Sequence, residues 1–241
     1  MTLSQLLMWC NGIVPEADET VIPSSSSTLL SKLNILNEGA KEFALLTRCF
    51  PREKKFTVTA NNYTYSLSSN VPDFLEMREE GIWHYRSDAS TTLWDRLKPT
   101  TVRELDQTFS SWRVQAANDF VRNYWQDGDT IGLFYTPSTT IANGLWIYYY
   151  GASSDMSLTT HYPFTGTTTE DPRLAPYEKY LLIYYKSIAL GLMGYRDDAA
   201  KELALFAGLA AKAKAELNSR RDIAQEAQAK PKVYGSNPFR R

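Results

Sequence analysis

Apolar spacing switches twice along this chain, from helical to alternating and back, and that switch limits the folds open to it. From Thr28 to Cys49, residues Leu29, Leu33, Leu36, Ala40, Phe43 and Ala44 share one face at a period of about 3.6 residues, which predicts an amphipathic helix ended by Pro51. A shorter helix precedes it, with Leu3, Leu6 and Leu7 behind the N-cap candidate Thr2 and a stop near Asn11-Gly12. In the middle of the chain the apolar residues alternate. Phe56–Thr59 and Tyr63–Leu67, with Asn61-Asn62 between them, read as a β-hairpin. Further alternating runs cover Phe74–Tyr85, Thr92–Leu97, Thr130–Tyr135 and Leu145–Tyr150, with a short helix over Thr101–Phe109.

Helical spacing returns after the Thr/Gly/Pro-rich stretch Ser153–Pro172. Leu174, Tyr177, Leu181, Tyr184, Ile188 and Leu192 form one stripe beginning near Pro176, and Asp197 is placed to cap a last helix carrying Leu203, Phe206, Ala207, Ala210 and Leu217. Neither early helix can bury its stripe alone. The expected fold class is therefore α+β: N-terminal helices (1–53) and a C-terminal αα-hairpin (173–224) forming a helical bundle. A mostly antiparallel β module (54–172) is inserted between them, and an extended C-terminal arm (225–241) follows.

The formal net charge of −1 gives no global attraction to nucleic acid or to an anionic membrane, so partners must be selected locally. The strongly apolar runs, such as Leu181–Tyr185 and Leu203–Ala211, fall short of the roughly 20 residues that span a bilayer. Met1–Met8 has neither the basic flank nor the apolar core of a secretory signal, which places synthesis in the cytosol. Cys10 and Cys49 lie on separate apolar helical stretches and read as buried thiols in a reducing compartment.

Catalytic chemistry finds little to build on. His84 lies in an alternating run and His161 in a Thr-rich loop, neither with a second histidine at metal-ligand spacing. Asp127 and Asp129 flank a turn glycine without the other oxygen ligands of a calcium loop, and Asp197-Asp198 suits helix capping. There is no GxGxxG after a strand, no GxxxxGK[ST] and no GxSxG elbow. The expectation is a non-enzymatic protein with no cofactor and no metal.

Two features instead suit contact. Trp146, Tyr148 and Tyr150 alternate with Leu145, Ile147 and Tyr149, so both faces of that strand are apolar, as in a central strand. Alternatively, one face meets a neighbouring subunit. Tyr and Trp suit interfaces and β-sheets alike, so the aromatic content of 13% does not choose. In the arm, Lys230, Lys232, Arg240 and Arg241 meet no acidic residue, while Val233, Tyr234 and Phe239 offer apolar anchors; a disordered tail is the other reading.

The helix Leu29–Phe43, the segment ending Tyr63–Leu67, and Val71-Pro72-Asp73-Phe74 resemble tailed-bacteriophage head-to-tail adaptor (connector) proteins. So do Leu93, Arg103–Asp106, Ile131–Ser138, the strand Leu145–Tyr150 and the helices from Pro176 to Arg221. The resemblance implies a homo-oligomeric ring, typically dodecameric, seated beneath the portal protein and carrying tail, nozzle or neck proteins below. It implies a virion protein assembled in the host cytoplasm, with DNA passing through the lumen without specific binding, and no cofactor, catalytic residue or membrane. The aromatic final strand and the basic arm depart from the commonest members. Another neck protein, such as a head-completion or tail-terminator protein, and a carbohydrate-binding module are the alternatives.

Overall fold

The computed structural model describes residues 1–17, 19–24, 30–88, 91–109, 111–114, 116–118 and 120–229. In chain order the elements are α1 (Leu3–Ile13), α2 (Lys32–Thr47), β1 (Pro51–Val58), β2 (Thr64–Ser66), α3 (Leu67–Asn70), β3 (Phe74–Asp88), β4 (Thr91–Arg96) and β5 (Lys98–Pro99). There follow α4 (Val102–Thr108), β6 (Asn123–Asp127), β7 (Thr130–Phe134), β8 (Ile141–Gly151), α5 (Tyr180–Leu192) and α6 (Arg196–Ala229). The fold class is α+β. The chain divides into two units: Phe50–Ser153 holds every strand among the described residues, while Met1–Cys49 joins the chain from Ser154 onward.

Within the helical unit, local chemistry sets the helix starts. Gln5 Oε1 accepts the Thr2 N–H at 2.8 Å, and Ser31 caps α2 by accepting the Asn34 N–H at 3.2 Å. The second helix thus begins at Lys32, later than the apolar stripe suggests, and ends on Arg48 in the left-handed conformation at φ 56°. Leu6 and Cys10 of α1, Leu36, Ala40 and Phe43 of α2, Leu181 and Tyr185 of α5, and Phe206, Ala210 and Ala213 of α6 are buried. α5 and α6 run antiparallel: the Tyr184 and Phe206 rings lie 5.2 Å apart, Lys186 Nζ donates to Glu202 at 2.6 Å, and Tyr177 Oη donates to Glu216 at 2.8 Å.

Two polar ties hold distant segments of this unit. The Asn37 side chain donates to the Met156 carbonyl at 3.1 Å and accepts its N–H at 2.9 Å. Lys32 is fully buried, and its ammonium donates to Asn11 Oδ1 and Glu19 Oε1, each at 2.7 Å. That pairing offsets the cost of removing a charge from water and pins the segment ahead of α2.

α6 differs from the sequence expectation in two ways. Its buried seam is Phe206, Ala210 and Ala213, while Leu203 and Ala207 are exposed. An alanine-rich helix carries more than one small apolar face, and only its neighbours decide which is covered. The helix also continues through Gln225–Ala229, where an arm is expected, because Ala, Gln and Glu favour helix without any apolar stripe. At 34 residues it is about 51 Å long, against about 20 Å for α5. Residues 230–241 lie outside the described residues.

The β unit contains two four-stranded sheets, ordered β1-β8-β3-β4 and β2-β7-β6-β5. All pairs are antiparallel except β5–β6. β1 and β2 therefore belong to different sheets. The expected hairpin is instead a crossing between sheets, turning through Asn61 at φ 59°. Alternation sets which side chains point inward but says nothing about the pairing partner.

One core cluster draws on both sheets, with Phe56, Ile82, Leu145, Ile147 and Tyr149 from the first and Tyr65, Tyr124, Ile131 and Leu133 from the second. A smaller cluster, Leu105, Trp112, Trp125 and Phe134, covers the other face of β6 and β7. It places α4, which opens with a capping box between Thr101 and Glu104.

Candidate assembly surface

Because Leu145, Ile147 and Tyr149 of β8 point into the core, the two-residue period turns Trp146, Tyr148 and Tyr150 to the opposite face of the first sheet. β8 is central, paired with β1 on one side and β3 on the other. Lys55 and Glu53 of β1 stand opposite Trp146 and Tyr148, and Trp83 of β3 stands opposite Trp146 from the other side. Trp146, Tyr148 and Tyr150 are half-buried. Thus β8 is a central strand, but its second face has only partial cover in the β unit.

The rings on that face touch one another. Trp94 and Trp146 meet edge-on at 5.4 Å between centroids and Tyr85 and Trp94 likewise at 5.3 Å, while Trp146 and Tyr148 lie tilted at 4.8 Å. Cations lie over them: Lys55 Nζ is 4.2 Å from the Trp146 centroid and 5.1 Å from that of Trp94. The Arg78 guanidinium is 5.8 Å from the Tyr148 ring and 5.9 Å from that of Tyr150, and it also pairs with Glu80. Burial, reinforced by Glu53 and Glu80, raises the Tyr148 hydroxyl above the usual phenol range. Trp146 Nε1 is buried without a hydrogen-bond partner. Edge-on and tilted rings with cations over their faces thus line this side of the first sheet.

The other candidates serve the fold. His161 Nδ1 accepts the Ser157 N–H at 3.3 Å, and its carbonyl accepts the Leu3 N–H at 2.8 Å. Asp129 is not simply a solvated turn residue: it accepts from Ser68 N and Ser68 Oγ, each at 2.7 Å, and from Ser66 Oγ at 2.9 Å, which lowers its pKa. Asp198 pairs with Lys201 in the first turn of α6. Burial pushes the Cys10 thiol up to about 12 and the Cys49 thiol to about 11. Among the described residues no group of His, Cys, Asp and Glu is arranged to hold a metal ion, and no helix is long and apolar enough to cross a membrane. Lys230, Lys232, Val233, Tyr234, Phe239, Arg240 and Arg241 lie outside the described residues.

The sequence places His84 in an alternating run but does not reveal its setting. His84 is buried opposite Asp95 on β4, beside a cleft edged by Arg96, Lys98 and Arg122. Only the β5–β6 pairing brings Lys98 and Arg122 together, so no local pattern reveals them.

A partly covered sheet face of aromatic rings and cations has the composition common at protein–protein contacts. The family model described as SU10 adaptor protein matches residues 4–233, nearly the whole chain, and the chain belongs to that family. It is a bacteriophage adaptor, a structural component of the virion that contacts other head and tail proteins. No curated protein matches the chain.

Proposed function

We propose that this adaptor forms a homo-oligomeric ring, a dodecamer, that joins the portal protein to the tail, nozzle or neck proteins of a tailed phage. The observation that carries the reading is the family match over residues 4–233. The partly covered aromatic face supports a lateral role: Trp146, Tyr148 and Tyr150 fit a subunit interface that completes their burial. The helices, read as a bundle with α5 and α6 as its closing hairpin, supply the remaining lateral contact. Exposed Leu203 and Leu205 on α6 fit that role.

The ring assembles in the host cytoplasm, and DNA passes through its lumen during ejection without specific binding. The residues beyond α6, with Lys230, Lys232, Arg240 and Arg241 around Val233, Tyr234 and Phe239, dock on the portal. There the cations meet an acidic groove and the anchors are buried. Ring repetition strengthens each weak contact through avidity.

The test is electron microscopy of the purified protein mixed with purified portal, together with a Trp146→Ala/Tyr148→Ala variant. A ring on the portal that the variant forms poorly, with its circular dichroism unchanged, is the expected result. Seating at the far end of a tail tube would make the protein a tail terminator. Rings formed equally well by the variant would remove the aromatic face from the interface.

A further inference from the structure

The β unit carries a strongly cationic recess apart from its aromatic face. A cleft of about 580 Å³ lies beside β4, β5 and β6, with Arg96, Lys98 and Arg122 around it, Asp95 and His84 in its lining and Phe120 at its edge. Its frame is rigid. The Leu97 N–H bonds to Ile82 O at 2.8 Å, Lys98 N–H to Arg122 O at 2.9 Å, and Arg122 N–H to Phe134 O at 2.8 Å. The backbone thus holds the exposed Lys98 and Arg122 beside one half-buried carboxylate, in a chain whose overall charge is −1, while the third lining cation, Arg96, donates to the Glu79 carbonyl. Among the described residues neither Lys98 nor Arg122 makes an ion pair. Like charges held together repel, and an anion entering the cleft relieves that repulsion.

Shape and the remaining lining choose among anions. The volume falls within the range of roughly 300–1,000 Å³ typical of ligand clefts, enough for a few side chains. A duplex is bound instead by cations spread along a surface that follows its backbone. Asp95 disfavours any anion alone, but its carboxylate can accept a peptide N–H, a donor that an acidic peptide brings and inorganic phosphate at full ionisation does not. Phe120, 47% exposed, offers an apolar contact that a phosphate does not use.

We propose that this cleft docks an acidic peptide segment of a partner protein, with carboxylates on Lys98 and Arg122 and a backbone N–H on Asp95. The inference does not depend on the ring.

Fluorescence anisotropy of labelled hexaglutamate with the full chain tests it. The expected result is saturable binding that weakens with salt and falls at least about tenfold in Lys98→Glu/Arg122→Glu. Both residues are exposed, so the variant should keep the wild-type circular dichroism and Tm. Lys212→Glu/Lys214→Glu on α6 changes the net charge equally and should bind as wild type. Equal loss in that control would reduce the effect to general charge, and absence of wild-type binding would remove the site. An oligonucleotide bound more tightly than the peptide, and lost in the same variant, would make the cleft a nucleic-acid site and overturn the proposal. Displacement of the peptide by inorganic phosphate at equal concentration would overturn it likewise.

Discussion

Replacing Gly39 by alanine should destabilise the helical unit, although alanine is the better helix former. A Cβ at Gly39 would sit 2.8 Å from Tyr184 Cδ1, 3.1 Å from its Cγ and 3.3 Å from its Cβ. Those atoms form the root of the side chain, so making room means shifting α5 or leaving a favoured rotamer. Movement of the ring away from α2 is opposed by Phe206 of α6, whose ring lies 5.2 Å from it between centroids. Alanine favours helix over glycine by about 1 kcal/mol, whereas overfilling a close contact costs about 1–3 kcal/mol. The clash should win by about 1 kcal/mol, lowering Tm by about 2–4 °C for a protein of this size.

Gly12 in α1 supplies the comparison, since nothing lies within 4 Å of its Cβ position. Gly12→Ala should therefore raise stability by up to about 1 kcal/mol. Calorimetry of the two variants beside the wild type separates propensity from crowding. An equal rise in Tm for both would refute the claim that α2 and α5 meet tightly at this glycine.

Further outcomes follow from the same geometry. Hydrogen bonds from Lys32 and Ser24 hold the Glu19 carboxyl at about 2, below its ordinary 4.5. A depressed folded-state pKa stabilises above the unfolded value and is lost as pH falls through the folded one, so the Tm advantage of wild type over Glu19→Gln should be full above about pH 4.5 and shrink toward pH 2. A gap independent of pH would show that the ion pair with Lys32 is not its source. Truncation after Ala229 removes the cations and anchors but leaves α6 intact, and should weaken recruitment to purified portal by about tenfold or more through lost avidity. Unchanged recruitment across a salt series would make that segment irrelevant to docking.

Much of the architecture follows from local chemistry. The stripe from Leu33 to Ala44, the capping residues Ser31 and Thr101, and the alternation of Leu145–Tyr150 are short-range patterns, and each forms the element its pattern demands. Residue spacing sets which side chains share a face of β8, so the sequence alone places Trp146, Tyr148 and Tyr150 together. It does not say which face is covered, because both are apolar. Only the joining of sheet-one and sheet-two side chains in one core directs Leu145, Ile147 and Tyr149 inward and leaves the tryptophan and tyrosines outside. The same limit separated β1 from β2, since strand pairing joins residues far apart in sequence and a period of two is common to every partner. The seam of α6 was chosen by its neighbours for the same reason, from an alanine-rich helix with several possible faces. The cationic cleft lies furthest from sequence reasoning: Lys98 and Arg122 become neighbours only when β5 and β6 pair, and their charges acquire a common direction only then.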